Sequence, residues 1–215
     1  MTNAPSIASP ELLKITEDDQ VFWGADQAWY ATKWQQNAGC GPTNCAHLMY
    51  YLACTRDGCS PLCPEKRPTR GGFRALMDSV WHYVTPGKMG VHTTDLFTDG
   101  AMRYATERGV PLSAKSLEIP ASRKARPGTD AVHAFLDAAF ANDLPVAFLN
   151  LSRGALRNLE GWHWVTLIAL KDGKAHVVDQ GNSYWIDLDL WLKTSRMGGG
   201  FVILEPGDCA LQAAQ

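Results

Sequence analysis

Gly39-Cys40-Gly41-Pro42, placed at the head of a long apolar segment, constrains this chain more than any other stretch. Pro42 suits a first helical turn, where its missing N–H costs nothing. Ala46, Met49, Leu52 and Ala53 then recur at helical spacing, which predicts a buried helix over 41–53. A cysteine at such a helix start has a specific chemistry. The unpaired N–H groups and the dipole of the helix favour a thiolate, and flanking glycines keep the sulfur approachable.

A reactive thiolate needs a base. Of six histidines, His163 opens an apolar run, Gly161-Trp162-His163-Trp164-Val165-Thr166. Asp172-Gly173 predicts a hairpin turn after that run, and Asp179 closes the strand on the far side. Antiparallel pairing about the turn brings the start of one strand beside the end of the other. His163 and Asp179 are therefore expected neighbours, an imidazole and its orienting carboxylate. Asn182 and Asp187 are fallback orienters. An amide side chain upstream, with the Cys40 backbone N–H, would supply an oxyanion hole.

The rest of the chain reads as helices first and strands afterwards. Helices are expected over 72–83, from Thr94 as N-cap to before Gly109, and from Thr129 as cap to about Asn142. Residues 55–70 hold Gly58, Pro61, Pro64 and Pro68 and read as a loop. Strands are expected over 145–151, 162–170, 175–179, 184–188 and 201–205, with a short helix over 190–194. This order predicts an α+β domain over 20–207, an N-terminal extension over 1–19 and a C-terminal tail over 208–215.

Composition excludes some partners. Twenty basic against twenty-two acidic residues, net −2, give no electrostatic case for nucleic acid or an anionic membrane. The longest apolar runs are too short to span a bilayer. The first residues show no basic start followed by an apolar run, so a cytoplasmic, reducing setting is expected.

Gln35, Gly39-Cys40-Gly41-Pro42-Thr43, Gly161-Trp162-His163 and Val178-Asp179-Gln180-Gly181 together resemble a papain-like cysteine peptidase. The resemblance is to the branch of bacteriocin-leader (double-glycine) peptidases and their bacterial relatives. It implies a papain-like α+β fold with the site in a groove between helices and sheet. It implies Cys40 as nucleophile, His163 as base, Asp179 as orienting acid and Gln35 as oxyanion donor, with no metal or organic cofactor. The substrate would be a peptide or protein, met by Trp162, Gly39 and Gly161. In two respects the chain departs from the pattern. Trp34 stands about six residues before the cysteine, where the pattern carries its glutamine, leaving Gln35 or Gln36 to serve, of which Gln35 is chosen. The loop over 54–70 is also longer than such domains need.

Other readings compete. A transferase passing the acyl group to an amine would use the same residues. A binding module on the same fold would keep the groove without the chemistry. Cys54, Cys59 and Cys63, with Cys45 or His47 as a fourth ligand, invite a zinc reading, although the spacings do not match paired knuckles. A disulfide within 54–63 is the alternative. His47 itself reads as a packing residue of the nucleophile helix.

Overall fold

The computed structural model describes residues 5–65 and 69–207. Two short strands, β1 (Lys14–Glu17) and β2 (Gln20–Trp23), come first. Helices α1 (Lys33–Ala38), α2 (Cys40–Thr55), α3 (Arg70–Trp81) and α4 (Thr94–Glu107) follow. Then come β3 (Leu112–Ile119), α5 (Thr129–Ala141), β4 (Val146–Asn150), β5 (His163–Lys171), β6 (Lys174–Asp179), β7 (Asn182–Asp187), α6 (Leu188–Thr194) and β8 (Gly199–Pro206). The six-stranded sheet runs β3-β8-β4-β5-β6-β7, antiparallel throughout. Helices packed on an antiparallel sheet make the architecture α+β, as expected.

α2 is the helix around which the rest is organised. Residues 41–53 are all buried, and the helix contacts α3, α4, β4 and β5. A helix buried on every side needs an apolar surface all round, which Leu48, Met49, Tyr51 and Leu52 supply. Thr43, Asn44 and His47 are its buried polar exceptions, and all three lie in its first two turns.

The predicted Asp172-Gly173 turn forms, and a second tight turn forms at Gln180-Gly181. Asp172 and Gly173 have φ of 50° and 72°, Gln180 and Gly181 of 47° and 75°. Positive φ at both central residues gives the turn whose twist matches the flanking strands. The second turn joins β6 to β7 with Asp179 paired opposite Asn182.

Several sequence expectations are corrected. The segment 1–19 is no extension from Pro5 onward: Ile7, Leu13 and Ile15 are buried in the core, and Ile7 N–H donates to Ile168 O at 3.0 Å. The boundary at residue 20 falls inside the β1–β2 hairpin, so apolar burial, not composition, decides where the domain starts. Thr93, not Thr94, caps α4, and Gly128 precedes α5, so Thr129 lies within the helix. β3 went unpredicted because it is an edge strand with a mostly solvated surface, and β8 is the partner that holds it. The expected tail over 208–215 lies outside the described residues. Among the described residues, no helix is long and apolar enough to cross a membrane.

Candidate active site

Gly39 separates two helices and serves as N-cap of α2, so Cys40 is the first helical residue. Its backbone N–H is among those a helix start leaves without an intrahelical partner. Gly39 is required by packing: a Cβ there would lie 2.5 Å from both Gln35 O and the Tyr30 ring. Across from Cys40, β5 begins at His163, immediately after Trp162, whose φ is 61°.

Thr166 faces Val178 in the β5–β6 ladder, so Asp179 sits diagonal to His163 instead of directly opposite. The side chains close that diagonal, with His163 Nε2 and Asp179 Oδ1 2.7 Å apart. Both residues are buried. The Cys40 thiol borders the same small cavity and is close enough to act on the imidazole. Burial alone would lower the basicity of His163, but Asp179, through its hydrogen bond and charge, and Cys40 beside the ring outweigh it and raise its pKa to about 10. The histidine is thus held as an imidazolium at neutral pH.

Asp179 is held in turn. Its second carboxylate oxygen accepts the Tyr184 hydroxyl at 2.9 Å, and burial together with that carboxylate drives the phenol's pKa upward. The two fallback orienters are engaged elsewhere. Asn182 Nδ2 donates to Gln180 O, and Asp187 caps α6 through Leu190 N–H.

The structure does not bring Gln35 to the thiol. Its side-chain carbonyl accepts from Thr32 N–H and Thr32 Oγ1, closing a capping box on α1. Gln36 is likewise occupied, donating to Tyr30 O at 2.9 Å. Among the described residues, the amides lining the small cavity shared by Cys40 and His163 are Gln27, Asn44 and Gln180, and Gln27 Nε2 donates to Gln36 O at 2.9 Å. Nothing local in the sequence marks Gln27, because only the turn through 27–32 and helix α1 return it to the nucleophile.

Two spaces adjoin Cys40. One, of about 10 Å³, lies beneath the Cys40–His163 pair among Gln27, Thr43, Asn44, His47 and Asp179. That is about the least volume that admits a water molecule. Gln27 Oε1, Thr43 Oγ1 and Asn44 Oδ1 are buried and have no hydrogen-bond partner among the described residues. The other is a surface cleft of about 190 Å³ walled by Trp34, Ala38, Met89, Val91, Leu149 and Trp162. Trp34, Met89 and Trp162 are exposed to solvent there. Trp162 Nε1 donates to Met89 O at 2.9 Å, tying the 87–90 turn to the start of β5. Of the residues expected to meet substrate, Trp162 lines this cleft, whereas Gly39 and Gly161 line neither space.

The remaining histidines and cysteines resolve individually. His133 pairs with Asp189 at 2.8 Å, and His176 stacks on Trp185. Cys59 and Cys63 are buried against the core around the turn Ser60–Leu62. Among the described residues no three His, Cys, Asp or Glu side chains are grouped as a metal site, and His47 is committed to other partners. The cysteine spacing therefore does not translate into a zinc-binding cluster.

No family model matches the chain, and no curated protein does. Solved structures similar to it include the following three. One is a double-glycine-motif protease from an AMS/PCAT transporter, in complex with the leader peptide, at 13% identity and a TM-score of 0.41 over 79% of this chain and 86% of that one. Another is the peptidase domain of Streptococcus ComA, a bifunctional ABC transporter involved in a quorum-sensing pathway, at 11% and 0.41 over 80% and 93%. The third is the Pseudomonas avirulence protein AvrPphB, at 13% and 0.32 over 81% and 94%.

Proposed function

We propose that the chain is a papain-like cysteine peptidase or amide hydrolase whose catalytic group is Cys40, His163 and Asp179. The observation that carries this reading is one buried imidazole bonded to a carboxylate and sharing a small cavity with a thiol at a helix start. In that setting the thiol at a helix start is the nucleophile and the imidazole held by Asp179 is its proton partner.

The chemistry follows from the geometry. The Cys40 thiolate attacks the carbonyl carbon of an amide, and the carbonyl π electrons move to oxygen. The Cys40 backbone N–H and the second N–H of Gln27 Nε2 are the donors assigned to that oxyanion, replacing Gln35. As the C–N bond breaks, the His163 imidazolium gives its proton to the leaving amine, and a thioester remains on Cys40. Neutral His163 then takes a proton from water, whose oxygen attacks the thioester. Collapse releases the acid and restores the ion pair. Tyr184 and Asp179 keep the imidazole oriented through both steps. The peptide would lie across Cys40 into the cleft between Trp34, Met89 and Trp162, whose exposed apolar faces suit a chain in extended form. Acyl transfer to an amine in place of water would differ only in the second nucleophile.

The deciding experiment is iodoacetamide labelling against pH, read by peptide mass spectrometry, together with turnover of a fluorogenic peptide-amide library. Labelling of Cys40 below neutral pH, lost in His163→Ala, is expected along with amide turnover abolished in Cys40→Ala. Cys40 labelling no faster than that of an ordinary thiol and indifferent to His163 would overturn the reading in favour of a binding module.

A further inference from the structure

Cys40 and His163 stand on separate elements, and no backbone ladder joins them, since β5 pairs with β4, with β6 and, through Ser6, with the N-terminal segment. The link between α2 and β5 is made by side chains. Cys40, Asn44 and His47 are spaced at i, i+4 and i+7 and share one face of α2. Asn44 Nδ2 donates to Thr166 Oγ1 at 2.9 Å, and His47 Nδ1 meets the same oxygen at 2.9 Å. His47 Nε2 accepts the Ala25 N–H at 2.7 Å. That bond leaves no proton on Nε2, so the neutral ring carries its proton on Nδ1 and donates to Thr166. The ring is fixed at both nitrogens and cannot rotate without losing a buried bond. Gly24 packs against it so closely that a Cβ would lie 2.8 Å from Nε2.

We infer that Thr166 is a positioning residue, the single buried hydroxyl by which Asn44 and His47 lock the nucleophile helix to the base strand and so set the approach of Cys40 to His163. Thr166 lies three residues along β5 from His163, fully buried, while its two donors lie one and two turns along α2 from Cys40. The lock also reaches the third part of the site. Through Ala25, His47 holds the chain that leads two residues later to Gln27. A displacement of about 1 Å between reacting groups can cost on the order of a hundredfold in rate, so such an anchor has catalytic consequence without touching substrate.

This inference rests on the Cys40–His163 pair of the proposed function, and the test separates the two. Thr166→Val keeps the shape and removes the hydroxyl; Thr166→Ser keeps the hydroxyl and removes a methyl group. Iodoacetamide labelling of Cys40 is measured from pH 4 to 10 under conditions where urea titration shows each variant folded. In Thr166→Val, labelling at pH 6 is expected to slow about tenfold or more, with the profile moving up towards that of an ordinary thiol near pH 8.5. Thr166→Ser should stay within about threefold of wild type. A merely structural role would change the folded fraction and leave the profile in place. Should Thr166→Val fail to fold, Asn44→Ala, which keeps the His47 bond, is expected to shift the profile in the same direction. A folded Thr166→Val or Asn44→Ala with the wild-type profile overturns the positioning role. A wild-type profile in His163→Ala overturns the pair itself and the inference with it.

Discussion

His163 and His47 border the same small cavity and are almost equally buried, 4% and 2% exposed, yet they titrate in opposite directions. His163 rises to about 10 and His47 falls to about 4. Burial pushes both downward, so it cannot be what separates them. The difference is the partner. His163 faces a carboxylate and a thiol, and each favours its charged form. His47 faces a hydroxyl and a backbone N–H, and the N–H demands an unprotonated ring nitrogen. Asp179 acts on His47 too, but only weakly against the desolvation. One histidine is thereby built to carry a proton and the other to hold structure.

The largest effect that would break this comparison is thermodynamic. His47 has a lowered folded-state pKa, so its contribution is present above the unfolded value of 6.5 and is lost as pH falls towards 4. Across that window the stability difference between wild type and His47→Gln should shrink by about 3 kcal/mol, read by urea denaturation at pH 7 and 3.5. A difference independent of pH would mean that folding does not shift the pKa of His47. His163 has the reverse sign. Its contribution is present below 6.5 and is lost as pH rises through about 10, so wild type should lose stability there relative to His163→Gln.

Asp179→Asn keeps an acceptor for His163 and removes its charge. We expect the imidazole pKa to drop, which NMR would show directly, and kcat/KM at pH 6 to fall about a hundredfold. An unmoved pKa would make Cys40 the main partner of His163. Trp162→Ala removes a wall of the cleft beside Cys40 and its bond to Met89 O, and should lower kcat/KM about tenfold while altering stability little. An unchanged rate would place the peptide elsewhere. The smallest effect is that of Tyr184→Phe, which frees one carboxylate oxygen of Asp179. It should cost about 1 kcal/mol in urea denaturation and slow turnover severalfold without moving KM.

The parts of the site legible beforehand share a property: each is signalled by neighbours in the chain. Cys40 stands between glycines at a helix start, and His163 and Asp179 are related by a two-residue turn with positive φ at both positions. Gln35 shows where that reasoning stops. It satisfied the expectation of a glutamine upstream of Cys40, but capping of α1 claimed its side chain. Gln27, much further back, reaches the cleft because the chain turns twice between them. The fold divides the same way. α2 and the hairpins follow from periodicity and turn chemistry, whereas β3 and the docking of residues 5–17 depend on partners distant in the chain.

The sequence by itself determined where Cys40, His163 and Asp179 stand on their elements, because helix starts and tight turns are set by local backbone and side-chain chemistry. It also determined the α+β class, through the change near residue 144 from helical periodicity to short runs rich in Val, Ile, Trp and Phe. Only the tertiary structure decided that Gln27 lines a cavity with Cys40, that Tyr184 bonds Asp179, and that Asn44 on α2 bonds Thr166 on β5. Those choices are made by which buried polar groups meet when distant elements pack. A hydrogen bond spanning more than a hundred residues, as between Asn44 and Thr166, has no local pattern to announce it.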